Sequence, residues 1–220
     1  MAALAAAAAL AGCGSDRTPF EDTVARVRAG LSGGPAAAPA PALTRARANA
    51  LRFALISARP DGAPAPAYLA AAADNGGHVT YVSANRRSVT LRGGLVTRVR
   101  GLAEPLEGVV AQDDDPLVRP TPPERWPAHY DRVFKRRDAL LRIRSEAWRC
   151  APRIVGPAQV EILELTFSLV EVAETCHDAG RSFENRHWVD PRTGFAWKTR
   201  QRLGPQAGWI DIEIIRPYGG

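Results

Sequence analysis

The segment "FENRHWVDPRTGFAWKTRQRLGPQAGWIDIEIIRP", residues 183–217, predicts three consecutive β-strands joined by two turns. The first turn is Asp190-Pro191-Arg192-Thr193-Gly194, whose residue types favour tight turns. The second runs from Gly204-Pro205 to Gly208. The segment therefore predicts two successive antiparallel hairpins.

Side chains alternate between the two faces of a strand. In the middle strand, one face carries Phe195, Trp197 and Thr199, and the other carries Lys198, Arg200 and Arg202. In the last strand, Ile210, Ile212 and Ile214 face one way, and Asp211 and Glu213 face the other. We expect the bases and acids to pair across the second hairpin, each pair contributing about 0.2–1 kcal/mol.

The same period of two extends back to Leu51, with Gly or Asn turns between short apolar runs. This pattern predicts an all-β fold: a curved antiparallel sheet, an open barrel or a sandwich of meander hairpins. "PRIVGP" (152–157) is expected to turn the chain. The Asp- and Pro-rich stretch 111–127 is expected to be a solvated loop, because its three Asp residues lack the spacing of a calcium loop.

The N-terminus has the features of a bacterial secretory leader. Ten of residues 1–12 are Ala or Leu, and Leu10-Ala11-Gly12-Cys13 resembles a lipobox. We predict a signal peptide over 1–12, with Cys13 as the site of lipid (palmitate-type) attachment. A short helix beginning at Thr18 and a Pro/Ala/Gly linker follow within 13–43. A single antiparallel β domain is then expected over 44–220.

Lipid attachment at Cys13 places the chain in the periplasm, where disulfides persist. No Asp directly follows Cys13, which favours the outer membrane. The remaining cysteines, Cys150 and Cys176, then form an even pair. We expect one bridge between them rather than a catalytic or metal-binding role, since neither belongs to a C-x-x-C motif.

Composition limits the function classes only weakly. The net charge is +6, and Lys135 and Lys198 are the only lysines among the basic residues. That charge fits either a generally Arg-rich surface or an anionic partner, but nucleic acid is a poor match for a periplasmic protein. Motifs of serine hydrolases, zinc proteases and P-loop proteins do not occur, and the four histidines lack ligand spacing. We therefore predict no enzyme activity, no metal and no cofactor.

The C-terminal segment resembles the YjbF/GfcB family of bacterial lipoproteins. The matching positions are Asn185, Arg186, Trp188, Asp190, Pro191, Gly194, Trp197, Arg200, Gln201, Gly204, Pro205 and Glu213. His187 occupies a position where that pattern has an aromatic residue. The lipobox, the early meander with "GLVTRVRGL" before an Asp-Pro loop, and the late cysteines also resemble this family.

The resemblance implies a non-catalytic role in assembly or export of an exopolysaccharide or capsule. Implied partners are an outer-membrane β-barrel protein and periplasmic proteins of the export system, with acidic polysaccharide as a further ligand. Candidate contact residues on the C-terminal strands are Trp188, Asp190, Trp197, Arg200, Arg202 and Trp209. Two other interpretations stay open: a periplasmic carrier of lipid or lipoprotein, and a glycan-modifying enzyme using Asp190 and Glu213.

Overall fold

The computed structural model describes residues 43–103, 105–138 and 140–219. The predicted signal peptide, the attachment residue Cys13, the helix after Thr18 and the linker lie outside the described residues. In the described ranges, twelve strands follow one short α-helix, and a 3₁₀ helix (Pro123–Arg125) lies between the sixth and seventh strands. The elements are α1 (Arg45–Ala50), β1 (Leu55–Pro60), β2 (Ala67–Asn75), β3 (His78–Val82), β4 (Ser88–Arg92), β5 (Leu95–Arg100), β6 (Gly108–Ala111), β7 (Tyr130–Arg137), β8 (Ile143–Ile162), β9 (Leu165–Asp178), β10 (Arg181–Val189), β11 (Ala196–Gly204) and β12 (Gly208–Arg216).

All twelve strands belong to one antiparallel sheet, in the order β5-β4-β3-β2-β1-β12-β11-β10-β9-β8-β7-β6. The two edges approach each other where Val99 and Leu106 exchange backbone hydrogen bonds of 3.1 and 3.2 Å. The sheet is therefore a nearly closed barrel. The predicted fold class is confirmed.

The cross-strand pairing predicted for the second C-terminal hairpin is also confirmed. Lys198 lies opposite Glu213, and Arg200 lies opposite Asp211. The Lys198 Nζ–Glu213 Oε1 distance is 2.8 Å, and Arg200 Nη1 is 3.1 Å from Asp211 Oδ1. The predicted inward isoleucines at 210, 212 and 214 are buried.

The turn expected at "PRIVGP" is wrong. Residues 152–157 lie inside β8, which continues to Ile162 and turns only at Leu163 and Glu164. Beyond Cys150, β8 pairs with β9 alone, because Cys150 lies opposite Tyr130, the first residue of β7. Pro152 and Pro157 are tolerated there because this part of β8 has no second neighbour that needs their missing N–H groups. A pairing irregularity between Ile154 and Gly156 absorbs the remaining distortion.

Helix α1 was not predicted, because its six residues carry no apolar stripe. Arg45 fixes this helix to the end of the barrel. Its guanidinium donates to the carbonyl oxygens of Ile162 (2.5 Å), Leu163 (3.0 Å) and Ile215 (2.7 Å). A small apolar cluster forms here, separate from the main core, and includes Ala48, Leu55, Ala70, Val160, Ile162, Leu169 and Ile215. No helix in the described ranges has the length and apolar composition needed to cross a bilayer.

The loop between β6 and β7 is not simply solvated, which corrects the expectation for 111–127. Asp115 and Leu117 are buried, and the Leu117 oxygen accepts a 2.7 Å bond from the Gly94 amide. A Cβ at Gly93 would lie 2.1 Å from the Leu117 oxygen, and one at Gly194 would lie 2.0 Å from the Thr121 oxygen. Both glycines also have positive φ. We call residues 112–129 the plug loop, since Asp115 and Leu117 are buried and Leu117 belongs to the main apolar core.

Cys150 and Cys176 form the predicted disulfide between directly paired positions of β8 and β9. They are separated by 26 residues. We predict that the double variant Cys150→Ala/Cys176→Ala loses about 3 kcal/mol of unfolding free energy, because the unfolded chain regains the entropy of the open loop. Chemical denaturation measures this change.

Reductant should lower the denaturation midpoint of the wild type and leave that of the double variant unchanged. An equal midpoint for reduced and oxidised wild type would contradict the stabilising role of the bridge.

Candidate functional site

The barrel interior contains a buried polar cluster centred on Arg132 of β7. Arg132 Nε and Nη2 donate to both oxygens of Asp115 in the plug loop, at 2.7 and 3.1 Å. Arg132 Nη1 donates to Glu174 Oε2 of β9 at 2.8 Å. The side chains of all three residues are fully buried. One guanidinium therefore joins the plug loop to two strands of the sheet.

Glu174 receives two further hydrogen bonds. Tyr130 Oη donates to Glu174 Oε1 at 2.6 Å, and Asn185 Nδ2 donates to Glu174 Oε2 at 2.7 Å. Asn185 Oδ1 in turn accepts the backbone N–H of Arg202 at 2.8 Å, which ties the cluster to β11. Together with His187, these residues form what we call the interior cluster: Asp115, Tyr130, Arg132, Glu174, Asn185 and His187.

Electrostatics hold Glu174 in its ionised form. Burial alone would raise the pKa of Glu174, but the positive charge of Arg132 outweighs burial and places that pKa well below its usual range. Burial and the neighbouring carboxylate raise the pKa of Tyr130, so its hydroxyl keeps its proton and remains a donor. Asp115, Arg132 and Glu174 thus form a mutually neutralised ion network and not a pair of carboxyl groups poised for proton transfer.

His187 is the least satisfied member of the interior cluster. Its side chain is fully buried, and neither ring nitrogen has a hydrogen-bond partner among the described residues. Nε2 lies 3.5 Å from Glu174 Oε2, which is a long contact rather than a hydrogen bond. The ring of Trp126 in the plug loop lies 6.2 Å away, centroid to centroid.

One grouping of potential metal ligands occurs in the described residues, formed by Cys150, Glu174 and Cys176. The two sulfurs are bonded to each other, so neither is a thiolate able to bind a metal. The grouping is therefore structural.

Most of the contact residues predicted from sequence come together on the outer face of β10, β11 and β12. The Lys198 nitrogen lies 5.6 Å from the centre of the Trp188 ring. The guanidinium carbons of Arg200 and Arg202 lie 5.8 and 5.3 Å from the centre of the Trp209 ring. These distances are typical of cation–π contacts. We call Trp188, Lys198, Arg200, Arg202 and Trp209 the outer ladder.

Much of the charge of the outer ladder is already neutralised. Arg200 contacts Asp211 at 3.1 Å and Asp61 at 2.7 Å, and Lys198 contacts Glu213. Arg202 has no ion-pair partner among the described residues; its guanidinium also lies 5.2 Å from the Phe183 ring centre. The outer ladder is therefore a paired surface with one cation whose charge is not balanced by a carboxylate.

Trp197 and Asp190 lie apart from the outer ladder. Trp197 lies where the pairing of β10 with β11 shifts by one residue. The centroid of its ring is 4.4 Å from that of Phe167 and 5.0 Å from that of Phe195. Asp190 Oδ1 accepts from the amides of Arg192 (2.9 Å) and Thr193 (2.8 Å), so this carboxylate shapes its own turn. A contact role for these two residues stays a prediction.

The carboxylates of Asp190 and Glu213 have different partners on different elements. Glu213 Oε1 accepts from Lys198, and its Oε2 accepts from Ser57 of β1 at 3.2 Å. Burial would raise the pKa of Asp190, but the hydrogen bonds from its turn lower it below its usual range. Neither carboxylate therefore has the environment of a general acid.

Sequence reasoning missed the interior cluster. Asp115 and Arg132 sit in stretches that are generally charged, and nothing local separates them from their exposed neighbours. The one available signal was strand alternation, which places Arg132 on the same face as Tyr130 and Phe134.

A plugged, nearly closed antiparallel barrel with a buried ion network defines the structural class of this protein. A family model described as "Group 4 capsule polysaccharide lipoprotein gfcB, YjbF" matches residues 20–215, and the chain belongs to this family. Membership implies a membrane-anchored bacterial lipoprotein related to capsule or exopolysaccharide. The resemblance noted in the sequence is thereby confirmed.

A solved structure shows the same fold. The crystal structure of the hypothetical lipoprotein YmcC from Escherichia coli (K12) superposes with a TM-score of 0.68. The aligned region is 15% identical and covers 81% of this chain and 91% of that chain. No curated protein matches the sequence.

We predict that Arg132→Met lowers the unfolding free energy by about 3–5 kcal/mol, because Asp115 and Glu174 are then left buried without a counter-charge. Adding Glu174→Gln should restore part of that loss. Arg200→Met is the matched control: Arg200 also contacts two carboxylates, but at the surface, where a pair is worth about 0–1 kcal/mol. Urea denaturation of the three variants measures these differences.

The pH dependence tests the same network. Because the pKa of Glu174 is lower in the folded than in the unfolded protein, its contribution is present above the unfolded value of about 4.3 and is lost as the pH falls further. Acid should therefore destabilise wild type more than Glu174→Gln. Parallel acid profiles would contradict an ionised Glu174.

Proposed function

We propose that this protein is a non-catalytic outer-membrane lipoprotein that supports assembly or export of a capsule or exopolysaccharide. The observation that carries the proposal is the family match over 20–215 on a barrel whose interior is plugged. Family membership supplies the polysaccharide connection, and the geometry supports a structural rather than a chemical role.

The charged groups of the interior cluster support the non-catalytic part of the proposal. The side chains of Arg132, Asp115 and Glu174 are fully buried and bonded to one another. An acid–base catalyst has to reach its substrate directly or through one water. A buried, mutually neutralised set meets neither condition, but it does hold the plug loop in place.

The position of α1 defines the end of the barrel at which the tether joins. Arg45 binds α1 to the turn between β8 and β9, and residues 13–42 connect this point to Cys13. Fully extended, thirty residues span at most about 100 Å. The lipid at Cys13 thus holds this end of the barrel within that distance of the membrane.

The opposite end of β8 carries an exposed apolar tip. Leu140, Leu141 and Ile143, at the β7–β8 turn, are 69%, 72% and 51% exposed. Leu141 has a φ of 60°, a conformation that costs a non-glycine residue about 1–2 kcal/mol.

The charge around this tip favours a protein partner with acidic side chains. Asp138 Oδ2 accepts from both Arg142 Nε (3.0 Å) and Arg144 Nε (2.9 Å), so two guanidinium groups share one carboxylate. The tip therefore presents apolar side chains inside a net positive rim. We propose that it docks onto a periplasmic protein of the export system whose apolar patch has an acidic rim.

The tether is tested by deleting the gene and complementing the strain. We expect deletion to lower the secreted polysaccharide, wild type to restore it, and Cys13→Ser to move the protein from the membrane to the soluble fraction. Glycan assays and membrane fractionation measure the two effects. Unchanged polysaccharide after deletion would refute the proposed function, and unchanged fractionation of Cys13→Ser would refute the anchor.

The tip is tested in the same strain with Leu140→Asp/Ile143→Asp. These charges should abolish docking without unfolding the barrel, so we expect little polysaccharide despite normal protein levels. Ile154→Asp is the matched control, because Ile154 is 47% exposed on the same strand. Full complementation by the tip variant would contradict the proposal. A vesicle assay gives a second check. If the Cys13→Ser protein binds anionic vesicles and the added tip substitutions abolish that binding, the tip contacts lipid and the proposal is also contradicted.

A further inference from the structure

A cavity of about 220 Å³ opens at the end of the barrel where the β2–β3 and β4–β5 turns approach Phe195 and the residues after β12. Its walls are mainly apolar and aromatic. The residues that matter for its chemistry are Asp74, Val79, Tyr81, Phe195, Ile214 and Tyr218. Neither the interior cluster nor the outer ladder contributes to it. The cavity is therefore a separate candidate site.

Tyr81 is 3% exposed, and no described residue forms a hydrogen bond with its hydroxyl. Burial, Tyr218 and Asp74 raise the pKa of Tyr81 to about 12. Tyr81 itself lines the cavity, together with Tyr218 and Asp74. The hydroxyl oxygen is not sealed from solvent, so it is available to an occupant of the cavity that can hydrogen-bond.

Two further groups at the cavity can take part in recognition. Asp74 Oδ1 accepts the Gly77 amide at 2.8 Å, which leaves Oδ2 without a hydrogen-bond partner among the described residues. Tyr218 is 51% exposed at the rim. The cavity thus combines aromatic surfaces with a phenol donor and a carboxylate acceptor on one side.

We infer that this cavity binds one uncharged pyranose ring of the polysaccharide, an assignment that rests on the proposed function. The apolar faces of a sugar ring suit the rings of Phe195 and Tyr218, and its hydroxyls suit Tyr81 and Asp74. A few placed polar groups in an aromatic pocket are the usual means of orienting a small ligand.

The charge and the size of the cavity argue against three other occupants: a uronate, a drug-sized ligand and an acyl chain. Arg and Lys do not line the cavity, whereas Asp74 does, so a uronate carboxylate would meet a like charge. At about 220 Å³ the cavity lies below the roughly 300–1,000 Å³ that encloses drug-sized ligands. An extended acyl chain would also leave the Tyr81 hydroxyl unpaired.

Saturation-transfer NMR on the full-length protein tests the assignment, with methyl glucoside, methyl galactoside and N-acetylglucosamine as probes. Glucuronate and decanoate serve as the charged and the lipid probes. We expect saturation transfer to at least one uncharged sugar. Tyr81→Phe should bind that sugar about tenfold more weakly, because one hydrogen bond is lost. Phe195→Leu should weaken it as well.

Tyr68→Phe is the matched control, because Tyr68 lies on β2 outside the cavity lining and loses the same hydroxyl. The inference is overturned if no uncharged sugar binds, if Tyr81→Phe and Tyr68→Phe behave alike, or if glucuronate or decanoate binds more tightly. Thermal unfolding confirms that the variants fold.

The two proposals can fail separately. Sugar binding that depends on Tyr81, in a protein whose deletion leaves the polysaccharide unchanged, would refute the proposed function and support the cavity as a sugar site. Loss of polysaccharide on deletion, with no sugar binding, would refute the cavity and retain the proposed function.

Discussion

The contact between Arg132 and its two carboxylates determines how the rest of the barrel is arranged. Asp115 belongs to the plug loop and Glu174 to β9, so one guanidinium fixes a loop and two strands at a single point. Removing charges from water is expensive, and only complete pairing offsets the cost. Tyr130 and Asn185 complete that pairing at Glu174. The plug loop can therefore occupy the barrel only in a register that places Asp115 against Arg132, and close contacts at Gly93 and Gly194 reinforce the same register.

The buried ion network is closed to solvent, so we look for recognition at the surfaces and the mouth of the barrel. In the outer ladder, acids on β12 neutralise Lys198 and Arg200, which makes this face a stabilising part of the sheet as well as a candidate contact surface. The apolar tip at the β7–β8 turn and the cavity at the other end differ from the outer ladder, because each leaves groups without partners. Leu140 and Leu141 are exposed to solvent, and the Tyr81 hydroxyl has no hydrogen bond to a described residue.

Sequence reasoning succeeded where the signal was local and failed where distant residues decided the outcome. Alternation and turn composition were sufficient to predict the all-β class and the pairing of bases with acids across the second C-terminal hairpin. The cysteine count was sufficient for the disulfide. The turn expected at 152–157 failed because the tolerance of β8 for two prolines depends on where β7 begins, which is a property of the sheet. The burial of Asp115 depends on Arg132, and no pattern around 113–115 distinguishes the buried aspartate from the two before it.

His187 shows how one position can depend on the interior cluster. It occupies a position on β10 where the sequence resemblance led us to expect an aromatic residue, and it is buried near Glu174 and the Trp126 ring. An aromatic residue there would only fill space, whereas an imidazole adds two polar atoms that the described residues do not satisfy. Such a residue is tolerated because the ionised Glu174 lies 3.5 Å from Nε2 and offers a favourable field without a full hydrogen bond. The low identity to YmcC fits this logic: the sheet depends on alternation and pairing, which many sequences satisfy, while individual interior residues adjust to their own neighbours.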